Sequence, residues 1–133
     1  MRSKKHMKNK NRAVWSTRFR NSTSKIFEQI GASINTDKRL FEEDILGSIV
    51  HTQMLDKQKI INKKRGKKII DGLKRIKTEI SKGKFSFSKK YEDIHLNIEK
   101  RLFSIIGKDA GYLHIARSRN DQVITDFKLW IKK

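Results

Sequence analysis

The sequence has no cysteine among its 133 residues. That excludes a disulfide framework, a thiolate metal site and a cysteine nucleophile, and it fits a reducing cytoplasm. Negative charge is scarce: 14 Asp and Glu stand against 33 Lys and Arg, a formal charge of +19. Apolar residues make up 35% of the chain, against roughly 45–50% in an ordinary globular protein. A chain so poor in apolar side chains calls for partner surface more than it suggests a self-sufficient compact domain. No apolar run approaches the roughly 18–20 residues of a membrane span. The basic first dozen residues lack the apolar core of a secretory signal. The length accommodates one modest domain and excludes a multi-domain enzyme. No internal repeat is present.

What is abundant is positive charge. Residues 1–12 carry six such charges, dense enough to repel one another and to read as a disordered leader, with a nucleic-acid or membrane arm as the functional alternative. From Ala13 to Thr36, Trp15, Phe19, Phe27, Ile30 and Ile34 are scattered without a period, which suggests an irregular segment pinned on another surface.

Three amphipathic patterns follow, and the fold class they imply is all-α. Asp37 to about Lys57 reads as a helix capped by Thr36 or Asp37, with Phe41, Ile45, Ile49 and Met54 as its stripe. Gly47 inside it implies a close helix–helix approach. His51, on no clear stripe, reads as structural. Residues from about Lys57 to Lys82 form a second helix with Ile69, Leu73, Ile76 and Ile80 on one side and a lysine-rich opposite face. That face reads as solvated, with phosphate-backbone binding as the rival. Phe85 and Phe87, interleaved with lysines, mark either a loop with two anchoring phenylalanines or a platform for stacking single-stranded bases. Tyr91, Ile94, Ile98, Leu102 and Ile105 predict a third helix ending at Gly107.

Two polar constellations stand out. Glu92, His95 and Glu99 are spaced to share a helix face. Glu-x-x-His is also the spacing of carboxylate-bridged metal bundles, but those need a second copy, so no metal site is read here. The other is Arg117-Ser118-Arg119-Asn120, just ahead of a helix carrying Val123, Phe127, Trp130 and Ile131 on one face. A helix start presents unpaired N–H groups and partial positive charge to an anion, and arginine forks match carboxylates. Chemistry alone leaves two readings open: an anion site, or Ser118 or Asn120 as an N-cap beside solvated arginines.

The wording of the second constellation carries more. Leu113-His114-x-Ala116-Arg117-Ser118-Arg119-Asn120-Asp121-Gln122-Val123-x-Thr125-Asp126 resembles the signature of the argininosuccinate lyase family, in the fumarase/aspartase superfamily. Trp15-x-x-Arg18-Phe19, Ser33-Ile34-x-x-Asp37-x-Arg39-Leu40, Asp44-Ile45-x-Gly47-Ser48-Ile49-x-His51 and Glu92-Asp93-Ile94-His95 resemble its earlier motifs, in the family's order. There are departures. Ser16-Thr17 stand where the family favours two glycines, Thr36 replaces an aromatic, and Ile115 replaces a threonine, losing a hydroxyl inside the binding stretch.

The resemblance implies the amino-terminal helical domain of that superfamily over residues 13–133, truncated before the central helical bundle. It implies a cytoplasmic homotetramer that reversibly splits argininosuccinate into arginine and fumarate in arginine biosynthesis, with no cofactor. Mapped by motif, Ser33, Arg117, Ser118 and Asn120 would bind substrate. Asp93, His95 and Arg119 would support them. The catalytic acid and base would lie downstream, so this chain has no catalytic residue and is expected to be inactive alone, with Lys133 a truncated end. The rival readings are a small basic helical nucleic-acid-binding module, or an inactive subunit assembling with a longer lyase chain.

Overall fold

In the computed structural model, residues 30–133 are described. The basic leader, the Trp15-x-x-Arg18-Phe19 motif, Ser16-Thr17 and Phe27 lie outside them. The described residues form helices and connecting turns with no strand. A single turn, α1 (Ile34–Asp37), runs through a 3₁₀ turn (Lys38–Leu40) into α2 (Phe41–Lys57). Then come α3 (Lys63–Ser81), α4 (Ile94–Ile106), a long 3₁₀ stretch (Gly107–His114) and α5 (Arg119–Ile131). Among the described residues no helix is long and apolar enough to cross a membrane.

The predicted pattern of helices is present, with boundaries moved by local hydrogen bonding. Neither Thr36 nor Asp37 caps α2, which starts after the 3₁₀ turn with Leu40 at its N-cap and no side-chain bond. Asp37 instead accepts from Ser33 Oγ at 2.5 Å and from the Ile94 amide at 3.2 Å, tying α1 to the start of α4. Between α2 and α3 the chain breaks at residues 58–62, where Lys59 takes a positive φ and Asn62 caps α3 through the Arg65 amide at 2.8 Å. The third helix begins at Ile94 rather than Tyr91. Glu92 adopts φ +59, and Asp93 caps α4 through the Leu96 amide at 2.7 Å. Gly107 does end it, with φ +70.

The core is built by α2, α3 and α4 with the 3₁₀ stretch laid across them. Ile45 and Leu55 of α2 meet Ile69, Leu73 and Ile76 of α3, and Ile98 and Leu102 of α4, all fully buried. Leu113 anchors the 3₁₀ stretch in the same cluster. The lysine-rich side of α3 is substantially paired: Lys68 and Arg65 both reach Asp109, Arg75 reaches Glu79, and Lys77 reaches Glu42. Ion pairs at this exposure stabilise little, but they occupy charges that a phosphate backbone would otherwise meet.

Helix α5 is the exception. Its apolar face, predicted from spacing, is on the outside of these residues: Phe127 is 49% exposed and Trp130 40%. The face it buries against α2 is polar, through Gln122 and Asp126. That inversion brings the polar groups of three helices together.

Helices α3 and α4 approach each other closely at Gly72. A Cβ there would sit 2.6 Å from Leu102 Cδ1 and 3.2 Å from Ile106 Cγ2, both in fully packed surroundings. Alanine is the better helix former by about 1 kcal/mol, but the overpacking outweighs that gain. Gly72→Ala is therefore expected to lower stability by about 1–3 kcal/mol in urea denaturation. An increase would show that the α3–α4 contact yields.

Candidate substrate-binding wall and its buried polar support

The segment entering α5 is held at three points. Leu113 is buried in the core. The Ile115 carbonyl lies 2.9 Å from His51 Nε2, which gives His51 the structural role read from sequence. Ser118 then caps α5: its hydroxyl accepts from the Asp121 amide at 3.2 Å and donates to Asp121 Oδ2 at 2.7 Å. Between these points Ala116 takes φ +56, a left-handed conformation unusual for a residue with a Cβ. Strain of this kind persists only where its surroundings enforce it.

The predicted binding residues fall into separate environments. Arg117 is half-buried, its two terminal nitrogens each 3.3 Å from Ser48 Oγ on α2, while Nε has no partner. Burial holds its pKa below the usual arginine value despite the nearby carboxylates of Asp44, Asp126 and Glu99. Arg119 turns inward to Gln122 Oε1 and to Glu99 Oε1 on α4. Asn120 is exposed at the first turn of α5. The Ser118 hydroxyl is already engaged by the cap. Ser33 sits with Asp37 and the α4 start, and shares no hydrogen bond with the 117–120 segment among the described residues.

The three polar residues expected on one face of the third helix are parted. Glu92 lies before α4, and Glu99 faces Arg119 and His114, with His114 Nε2 at 2.7 Å. Burial favours the neutral form of Glu99, but His114 and Arg119 together hold its carboxyl below the usual range. His95 turns the other way, into the junction of α2, α4 and α5. There Asp44 Oδ1 lies 3.0 Å from its Nδ1, and Asp126 Oδ2 lies 3.4 Å away. Gln122 Nε2 donates to the same Asp44 oxygen. All four side chains are at most 3% exposed.

Sequence reasoning singled out His95 but not its partners. Asp44 and Asp126 are 51 and 31 positions away, so the cluster is tertiary. The available signal was an i, i+4 polar stripe: Asp44, Ser48 and Thr52 on α2, and Gln122 and Asp126 on α5. The ligand atoms of Asp44, His95 and Asp126 lie within 4.8 Å of one another, close enough to converge on a metal ion.

Two buried carboxylates this close cannot both ionise freely. Burial, then the charge of Asp44, pushes the Asp126 carboxyl up to about 8. Burial acts against Asp44 too, but His95 and Gln122 hold it below the usual carboxylate range. Burial would depress His95, and Asp44 overrides it, leaving the imidazole above its ordinary value. Gly47 lets the helices meet here: a Cβ on it would stand 3.3 Å from Asp126 Oδ1. That is the close approach its place in α2 implied.

A family model described as "Lyase" matches residues 17–133. The chain belongs to this family. Within the lyases, it is 62% identical over 125 residues to an argininosuccinate lyase of Pelagibacter ubique (strain HTCC1062), covering 93% of this chain and 27% of that protein. It is 56% identical over 120 residues to an argininosuccinate lyase of Ehrlichia canis (strain Jake), and 58% over 120 residues to one of Ehrlichia chaffeensis (strain ATCC CRL-10679 / Arkansas). Each of those matches covers 90% of this chain and 26% of the relative. The chain thus spans about a quarter of the length of the lyases it matches, as expected for an amino-terminal portion of one. The all-α fold is that of the amino-terminal helical domain in this superfamily.

Two measurements test the site. A carboxyl whose folded pKa is about 8, against an ordinary 3.8, keeps a proton that the unfolded chain has lost. Its contribution to stability is full below about pH 4 and is lost as pH rises through about 8. His95, also raised, runs the same way, full below its ordinary 6.5 and lost above its folded value. The depressed Asp44 loses its contribution only in acid. The melting temperature should therefore fall between about pH 4 and 8, and Asp126→Asn should flatten most of that slope, above all below pH 6.5 where His95 adds nothing to it; an unchanged slope would exclude Asp126 as its source. Separately, Ser118→Ala should cost about 1 kcal/mol through the lost cap, read by chemical denaturation, and no loss would mean that another group caps α5.

Proposed function

We propose that this chain supplies one wall of the substrate pocket of an argininosuccinate lyase, an enzyme that eliminates fumarate from argininosuccinate and leaves arginine. The observation that carries the reading is the 62% identity over 125 residues to a curated argininosuccinate lyase. The chemistry at the start of α5 supports it. A substrate with several carboxylates needs donors, and the helix N-terminus with Arg117 and Asn120 offers them. In this reading Ser33, Arg117, Ser118 and Asn120 meet substrate, Ser118 chiefly through the backbone it caps. Asp93, His95 and Arg119 act behind them, Asp93 by starting α4 and Arg119 by tying α5 to Glu99.

Carbanion-forming elimination needs a base beside the acidic carbon and an acid at the leaving guanidinium. In the proposed enzyme both groups come from other parts of a cytoplasmic homotetramer, and residues 13–133 form a domain that only binds. No organic cofactor enters the reaction. The purified chain should release no fumarate from argininosuccinate, followed by ultraviolet absorbance. The chain joined to the remaining three quarters of the Pelagibacter ubique lyase should release it. Turnover by the chain alone would overturn the assignment of the acid and base elsewhere, and a dead fusion would count against the reading as a whole.

A further inference from the structure

Two buried polar atoms without hydrogen-bond partners belong to residues lining the same groove. Arg117 Nε is a donor with nothing to donate to, and Asp126 Oδ2 is an acceptor with no hydrogen bond. Both residues border a groove of about 600 Å³ between α2 and α5, together with Gln122, His51 and Thr125. Leaving such atoms unpaired costs about 1–3 kcal/mol each, so an arrangement that keeps them apart needs a cause. The two long contacts of the guanidinium to the Ser48 hydroxyl hold it only weakly.

We propose that Asp126 is a positioning residue for Arg117: while it carries a proton the guanidinium rests at Ser48, open to an anionic ligand, and once the proton leaves to solvent the guanidinium is drawn onto the carboxylate. This rests on the reading of Arg117 as a contact for a substrate carboxylate.

The surroundings of Asp126 are those such a role requires. From α2 it faces Asp44, whose negative charge opposes its ionisation; from α4 it faces His95, and from the strained 115–118 segment Arg117, both of which favour it. Its own helix supplies Gln122 one turn earlier, already committed to Asp44 and Arg119. With His95 committed to Asp44, the next cation facing Asp126 is Arg117. A protonated Asp126 can donate to Asp44 and leaves that cation free. An ionised one competes with any anion for it. Ala116, at φ +56, is the natural pivot, because the segment there is held by His51 on one side and by the Ser118 cap on the other.

The test is carbon-detected NMR of the 133-residue chain, following the Arg117 Nε–Cζ correlation, assigned by its loss in Arg117→Lys. Between about pH 6.5 and 9.5 the Arg117 signal should step with the same midpoint as the Asp126 carboxyl carbon. Asp126→Asn should abolish the step, and Asp126→Glu should restore it at a shifted midpoint. A step that persists in Asp126→Asn, or no Arg117 step while Asp126 titrates, overturns the proposal. Methyl signals of Ile98 and Leu113 report the fold, and if Asp126→Asn loses them the Asp126→Glu midpoint decides: unshifted, it overturns the proposal. Fumarate, added as the probe anion, should move the Arg117 signal more at the low end of this pH range than at the high end. If fumarate leaves Arg117 untouched while the proton-linked step remains, the substrate reading fails and the positioning role stands.

Discussion

Two carboxylates, an imidazole and an amide fill the space where α2, α4 and α5 meet, and the geometry of the segment that carries Arg117 depends on their mutual satisfaction. Burying an unpaired carboxylate is so costly that the group takes a proton instead. Here one carboxylate stays charged because His95 and Gln122 both donate to it. The other, Asp126, lacks that help and is pushed toward its neutral form. This asymmetry lets three helices close on a polar contact. Apolar contacts would tolerate sliding by a fraction of a turn. A shared acceptor, with donors from two helices, does not, so the register of α5 on α2 is set by directional bonds.

That register matters because α5 carries the arginine segment at its N-terminus. The chain reaches it from α4 through a 3₁₀ stretch locked by Leu113, and is held on the far side by the Ser118 cap. Arg119 adds a second tie by spanning from α5 to Glu99 on α4. With both flanks and the helix fixed, the left-handed Ala116 and the weakly held Arg117 guanidinium are the parts with freedom left. A binding group on a rigid frame meets its ligand with little ordering cost, which is how positioned donors favour binding.

How much of this was legible in the sequence follows from the range of each interaction. Helix α3 was readable because Ile69, Leu73, Ile76 and Ile80 repeat at the helical period and all pack inward. Gly47 and Gly107 announced a close approach and a helix stop, and each is where the backbone needs it. The start of α4 was misplaced by three residues because Tyr91 continues the apolar pattern while Asp93 supplies the cap, and a hydrogen bond outweighs a pattern at a helix end. For α5 the periodicity of Val123, Phe127 and Trp130 was real but did not say which face these residues bury. The face used against α2 is the weaker-looking stripe of Gln122 and Asp126.

The same limit explains the pairing of His95. Sequence spacing offered it Glu92 and Glu99, and the fold chose Asp44 and Asp126. Local spacing fixes which side chains can share a helix face. It carries no information on which helix lies opposite. Glu99, one turn further along α4, belongs to a second and distinct charge group with Arg119 and His114. One helix therefore supports the arginine segment twice: through His95 beneath Asp126, and through Glu99 beneath Arg119. Because α4 also supplies Ile94, Ile98, Leu102 and Ile106 to the core, any shift of it in response to core packing would reach both arginines at once. The placement of the donors is then a property of the core, and the polar junction is how the core conveys it.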